Sequence, residues 1–212
     1  MNPRHFPLFL LIAAHAVAAD RPPVPAAPIA EKKELLFSDD FEGKPAVTAH
    51  AAVHGLEIPT KDSIVEARIR FEGASMIDVE FDDRKYTGAH YGHICRAQVR
   101  LNGVTLIDER DGGMRNDIYE MKKDPARKAE VAKLLAGRSV TYPARLEVGK
   151  WYTLVVETAG DEMRVTIDGK PAGYLKSSGI AHATKSKIEL GVGGKDGYFD
   201  DVKVWNAQVI GK

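Results

Sequence analysis

Apolar and polar residues alternate with a period of two in one short segment after another, and this pattern constrains the fold more than any other feature of the chain. Between Ser63 and Phe71, Val65, Ala67, Ile69 and Phe71 share one side. Between Met76 and Asp82, Ile77, Val79 and Phe81 fall on one face and Asp78, Glu80 and Asp82 on the other. Successive side chains of an extended strand point to opposite faces, so such segments read as half-buried strands. The same reading takes in Leu35-Leu36-Phe37, Val104 to Asp108, Trp151 to Thr158, Met163 to Asp168, Ala172 to Lys176, Ile188 to Val192 and Asp200 to Trp205. Short alternating strands separated by turn residues predict an all-β protein, an antiparallel sandwich or barrel. Asp168-Gly169, between Val165-Thr166-Ile167 and Tyr174-Leu175, marks a hairpin, because both positions tolerate positive φ.

One segment breaks the pattern. Asp124 suits an N-cap, Pro125 the first helical position, and Gly137 the stop after a run rich in helix formers. A single short helical insertion is therefore expected near residues 124–136, with Val131, Leu134 and Leu135 as a narrow apolar stripe.

The N-terminal region reads differently. Arg4 and His5, an apolar run from Leu8 to Val17 and the small residues Ala16-Val17-Ala18 have the layout of a signal peptide over residues 1–19. That run is too short for a permanent bilayer span, and no membrane span is expected elsewhere. Residues 20–33, rich in Pro and Ala, have the composition of an extended linker. This leaves residues 34–209, enough for one domain with its own core, in a secreted or periplasmic protein.

Of the 212 residues, 30 are Lys or Arg and 30 are Asp or Glu. So balanced a chain gives no electrostatic reason to expect nucleic acid or an anionic membrane as partner. Cys95 is the single cysteine, so no internal disulfide forms and packing alone must hold the fold. Its strand parity puts it among the inward residues as a small apolar group.

The chemistry gathers around residues 76–101. The acidic strand is followed by a second, Gly92-His93-Ile94-Cys95-Arg96-Ala97-Gln98-Val99-Arg100-Leu101, on which Cys95, Ala97, Val99 and Leu101 form the inner set and Arg96, Gln98 and Arg100 the outer. If the two strands pair, acids face bases across one polar sheet face, a surface suited to a sugar. His93 shares the parity of Cys95 and is the doubtful member of that face. Asp78, Glu80, His93 and Arg96 are the candidate catalytic residues. Asp82, Tyr86, His90, Tyr91 and Gln98 are the candidate substrate-binding ones, the tyrosines as rings on which a sugar stacks. His90-x-x-His93 also has a spacing that metal ligands use.

The order of several motifs resembles a family of secreted bacterial jelly-roll proteins, the family-16-like glycoside hydrolases or 3-keto-disaccharide hydrolases. These motifs are Leu36-Phe37-Ser38-Asp39-Asp40-Phe41-Glu42, the Gly92 to Arg96 strand, Gly149-Lys150-Trp151-Tyr152-Thr153, Gly160-Asp161-Glu162-Met163, Ile167-Asp168-Gly169-Lys170 and Phe199-Asp200-Asp201-Val202-Lys203-Val204-Trp205. The resemblance implies a concanavalin A-like lectin/glucanase jelly roll acting on carbohydrate or a glycoside. It implies chemistry in which a ketone at sugar C3 acidifies the neighbouring C–H, a base such as His93 or Glu80 removes the proton, and Arg96 or a metal holds the enolate. It also implies a structural calcium ion held by Asp40, Glu42 and Asp201, an oxygen-only set. The Glu-x-Asp-x-x-Glu strand of family-16 glucanases is absent, Asp78-Val79-Glu80-Phe81-Asp82-Asp83 standing there instead. The alternative to catalysis is a carbohydrate-binding or cell-envelope interaction module.

Overall fold

The computed structural model describes residues 21–41 and 52–211; the expected signal peptide and Glu42 lie outside them. The described residues form, in chain order, strands β1 (Ala30–Asp39), β2 (Ala52–Leu56), β3 (Ser63–Phe71), β4 (Met76–Asp82), β5 (His93–Arg100) and β6 (Gly103–Asp108), helices α1 (Asn116–Met121) and α2 (Lys128–Leu134), then β7 (Ser139–Pro143), β8 (Trp151–Ala159), β9 (Glu162–Ile167), β10 (Lys170–Lys176), β11 (Lys187–Gly193) and β12 (Gly197–Val209). They build two antiparallel six-stranded sheets, ordered β1-β12-β3-β8-β9-β10 and β2-β11-β4-β5-β6-β7. The protein is an all-β jelly-roll sandwich, as the alternation predicts.

Alternation decides what fills the space between the sheets. Val65, Ala67, Ile69 and Phe71 of one sheet meet Ile77, Val79, Phe81, Cys95, Ala97 and Val99 of the other, all buried in one apolar cluster. Cys95 is inward as expected, and burial pushes its thiol up to about 12, so it stays neutral and unreactive.

Several local features depart from the sequence reading. The helical insertion is split: a 3₁₀ turn over Pro125–Arg127, with the Asp124 side chain accepting from the Ala126 amide, leads into α2. A further helix, α1, precedes it and buries Ile118. Edge strands β2 and β7 lie outside the expected strands, although β7 alternates, with Val140 and Tyr142 turned inward between Ser139, Thr141 and Pro143. β1 begins at Ala30, ahead of the expected boundary at residue 34. The proline-rich stretch before it is docked and not a free tether over its described part. Its residues form no ladder of their own, so their carbonyls accept from donors on the first sheet and on β7. Arg164 Nε donates to the Pro25 carbonyl (2.8 Å), Arg164 Nη2 to that of Ala26 (2.9 Å), and Tyr142 Oη to that of Pro22 (2.6 Å).

The entry to β5 is a strained point of the fold. Tyr91 and Gly92 both take left-handed backbone conformations, at φ 52° and 78°, and a Cβ on Gly92 would sit 2.1 Å from the Asp83 carbonyl oxygen. Gly92→Ala is therefore expected to lower stability by roughly 1–3 kcal/mol, read as a fall in the urea midpoint. An unchanged midpoint would mean that the turn relaxes without loss.

Candidate functional site

The acidic strand and the basic strand do pair. In register, Asp78 faces Gln98, Glu80 faces Arg96, and Asp82 faces His93. A β-bulge decides the last of these. Phe81 pairs with Cys95 and Asp82 with His93, leaving Ile94 as the extra residue. One inserted residue shifts parity. Ile94 and Cys95 both turn into the core, while His93, opposite in parity to the sequence expectation, joins Arg96 on the polar face. The Ile94 carbonyl accepts from two amides, Glu109 and Arg110, at 2.9 Å each. The bulge thus also holds the chain just beyond β6 beside the site.

Through that hold a fourth carboxylate enters. Arg96 forms a two-pronged pair with Glu109, Nε to Oε1 at 2.8 Å and Nη2 to Oε2 at 2.7 Å. Its Nη2 is also 3.0 Å from Glu80 Oε1, and its Nη1 3.5 Å from Asp78 Oδ2. His93 Nδ1 lies 2.6 Å from Glu80 Oε1 and 2.9 Å from Asp82 Oδ1. Asp78, Glu80, Asp82 and Glu109 are all buried. They form a packed ionic layer on the polar face and not a solvated strand surface. Gly191, paired with Asp78, makes room for this layer, since a Cβ there would lie 2.0 Å from Asp78 Oδ1.

Burial and pairing pull the protonation states apart. Burial disfavours an imidazolium at His93, yet the hydrogen bond to Asp82 and the closeness of Glu80 outweigh it and push its pKa up to about 10. So raised, the His93 pKa favours the protonated ring and disfavours His93 as the proton acceptor of an elimination. Burial pushes Glu109 up to about 7 against the pull of Arg96, with Glu80 adding to the rise. Burial likewise raises Asp78, and Arg96 opposes it. Arg96 loses some of its charge preference to burial but gains more from Glu109, Glu80 and Asp78, and is held above its ordinary value.

The remaining candidates divide. Asp82 belongs to the network through His93. Gln98 accepts from Arg100 Nη1 at 3.2 Å and borders it. Tyr91 is 75% exposed, with its ring centroid 6.3 Å from that of His93. His90 is stacked on Tyr119 of α1, ring centroids 3.8 Å apart, and is not gathered with His93 as a ligand pair. Tyr86 packs against the core and against His182 at 4.7 Å, which leaves Tyr91, tilted against His90 with ring centroids 4.3 Å apart, as the exposed ring of the two. Glu109 is the functional candidate that the sequence reading missed, because Asp108-Glu109-Arg110 reads as a turn. Extending the β6 alternation by one residue, with Val104, Leu106 and Asp108 inward, would have placed it on the polar face.

Of the expected calcium ligands, Glu42 lies outside the described residues, and Asp201 Oδ2 is 3.5 Å from Arg68 Nη1, which is also 3.3 Å from Asp200 Oδ2.

No protein-family model matches the chain and no curated protein matches it in sequence, so the family-16-like resemblance rests on its motifs alone. Among solved structures the chain is similar to sheep galectin-11 in complex with glycerol, with 14% identity over 74% of this chain and 98% of that one and a TM-score of 0.47. It is similar also to the carbohydrate binding module CBM66 from Bacillus subtilis, with 15% identity, coverage of 76% and 82% and a TM-score of 0.42. A third is the galectin LEC-6 of Caenorhabditis elegans, with 9% identity, coverage of 75% and 93% and a TM-score of 0.45.

Proposed function

We propose that this chain is a carbohydrate-binding module whose ligand lies on the polar face of the β2-β11-β4-β5-β6-β7 sheet, beside Tyr91. The observation that carries this reading is the juxtaposition of an exposed aromatic ring with a layer of charged groups already held in place by one another. A sugar ring offers an apolar face for stacking and hydroxyls that both donate and accept. Tyr91 suits the first, and the margin of the Asp78, Glu80, Arg96 and Gln98 layer suits the second. Side chains fixed by ion pairs lose little rotamer freedom when a ligand arrives, so their hydrogen bonds are retained as net affinity. The expected signal peptide would deliver such a module outside the cytoplasm.

The test is calorimetric titration of a panel of oligosaccharides into the wild type, Tyr91→Asn and Gln98→Ala. Asparagine tolerates the left-handed backbone at position 91. At least one glycan is expected to bind the wild type, with affinity falling about tenfold or more in Tyr91→Asn and the melting temperature unchanged. Binding indifferent to both substitutions, or none across the panel, would overturn the reading.

A finer reading, cleavage of a 3-keto-glycoside, is favoured by the convergence of Glu80 and Glu109 on one guanidinium. With His93 cationic, a carboxylate would take the C–H proton and Arg96 would hold the enolate oxygen. Turnover of 3-keto-glycosides by the wild type and its loss in Glu80→Gln would establish it; sugar bound without turnover leaves the module.

A further inference from the structure

Among the described residues, Glu80, Asp82 and His93 bring three ligand-capable atoms within 4.8 Å of one another. Two carboxylate oxygens approach the same nitrogen, His93 Nδ1, at 2.6 and 2.9 Å. An imidazole nitrogen carries at most one hydrogen. Asp82 accepts it, for that contact has hydrogen-bond geometry. Glu80 Oε1, on a residue only 6% exposed, is left without a directed hydrogen bond. A proton satisfies one of the two oxygens, whereas a metal ion satisfies all three atoms at once.

Charge and chemistry agree with that assignment. Arg96 engages both oxygens of Glu109 and also lies 3.0 Å from Glu80 Oε1, and a divalent cation bound by Glu80, Asp82 and His93 would take the place of the proton on His93 Nδ1. One nitrogen and two carboxylates suit first-row transition ions, since calcium and magnesium favour all-oxygen sets. Arg96, in contact with Glu80 Oε1, would fix the orientation of that ligand from outside, as second partners of metal ligands do. Neighbouring β4 and β5 supply all three side chains, so the donors stand on rigid elements. The His93 side chain is 17% exposed, which gives an ion a route from solvent.

We propose that Glu80, Asp82 and His93 form a binding site for a divalent transition-metal ion, Mn²⁺ or Zn²⁺, with His93 Nδ1 as its nitrogen ligand. Metal–ligand bonds of about 2.0–2.2 Å place neighbouring ligand atoms roughly 3.0–3.5 Å apart, so loading opens the Glu80–His93 contact by about half an ångström. The inference stands on these three side chains and does not depend on sugar binding.

The untagged full chain, freed of metal by chelator and dialysed, is titrated with Mn²⁺ and with Zn²⁺. One ion is expected per chain, with nitrogen hyperfine coupling in the Mn²⁺ electron spin-echo spectrum. Affinity is expected to fall about tenfold or more in His93→Asn and in Asp82→Asn, both checked for a wild-type circular dichroism spectrum, while Arg100→Ala binds as the wild type does. A spectrum without nitrogen coupling, no stoichiometric binding, or affinity unchanged in His93→Asn would overturn the site. The nitrogen coupling is read on the wild type, so the question is decided even where a variant fails to fold.

Discussion

Replacing Arg96 by methionine is expected to destabilise the fold by about 3–5 kcal/mol, and by much less in acid than at neutral pH. Methionine keeps most of the apolar stem of the side chain, so the loss is chiefly one of charge. The guanidinium is the shared partner of Glu109, Glu80 and Asp78, whose side chains are 6%, 8% and 7% exposed. Without it, three carboxylates lie together out of water with His93 as the remaining nearby cation, and removing one partner of a buried ionic group costs far more than an exposed pair is worth.

The pH dependence follows from the direction of the shifts. Burial already holds Glu109 and Asp78 above their ordinary values against the pull of Arg96, and losing that pull raises them further. An acid whose pKa is higher folded than unfolded favours the folded state most when protonated. Its contribution is fully present below the unfolded value, about 4, and is lost as pH rises through the folded value. Urea unfolding of the wild type and Arg96→Met at about pH 5 and about pH 8, in chelator, checks this. The gap between the two proteins should narrow at the lower pH. A gap that is small or independent of pH would mean that water reaches the carboxylates once the guanidinium is gone.

Why the site was only partly legible in the sequence can be traced to particular residues. β3 from Val65 to Phe71 and β4 from Ile77 to Asp82 obey a period of two, so their inward residues and the shared face of Asp78, Glu80 and Asp82 follow from the sequence. That β4 and β5 lie side by side follows too, since consecutive strands most often pair, but the register that sets Glu80 opposite Arg96 does not. His93 could not be placed that way. Its face depends on one extra residue, Ile94, and a bulge leaves no mark on composition or period. Glu109 was hidden for a related reason, because turn-like residues follow it although the chain stays hydrogen-bonded to Ile94 for one more step. The docking of the proline-rich segment depends on Arg164 and Tyr142, distant in sequence, and local composition is silent on such contacts. The alternation within strands is a local property, whereas the site is made by registers between them.

The insertion between β6 and β7 depends on one buried carboxylate, and Asp108→Ala is expected to lower stability by about 3–5 kcal/mol. Asp108 is the last residue of β6, inward in parity, and fully buried. Its Oδ2 accepts from Arg138 Nη1 at 3.1 Å, from the Gly179 amide at 3.0 Å and from Ser177 Oγ, and its Oδ1 accepts from the Asp111 amide at 3.0 Å. One side chain thus joins the start of the insertion, its end at Arg138 and the 3₁₀ turn Ser178–Ala181. Alanine would leave the Asp111 and Gly179 amides and the Ser177 hydroxyl without this acceptor, while Arg138 keeps its contacts to Ser177 and Ser178. Asp108→Asn keeps the shape but can accept through one oxygen only, and should fall between the wild type and alanine. Because Glu109 follows directly, loosening Asp108 should also free the carboxylate that holds Arg96. Hydrogen exchange would show both effects, with faster exchange at Asp111 and Gly179 from loss of the cap and at Glu109 and Arg110 from release of the bulge. Exchange confined to the first pair would show that the Ile94 carbonyl secures the site without help from the insertion.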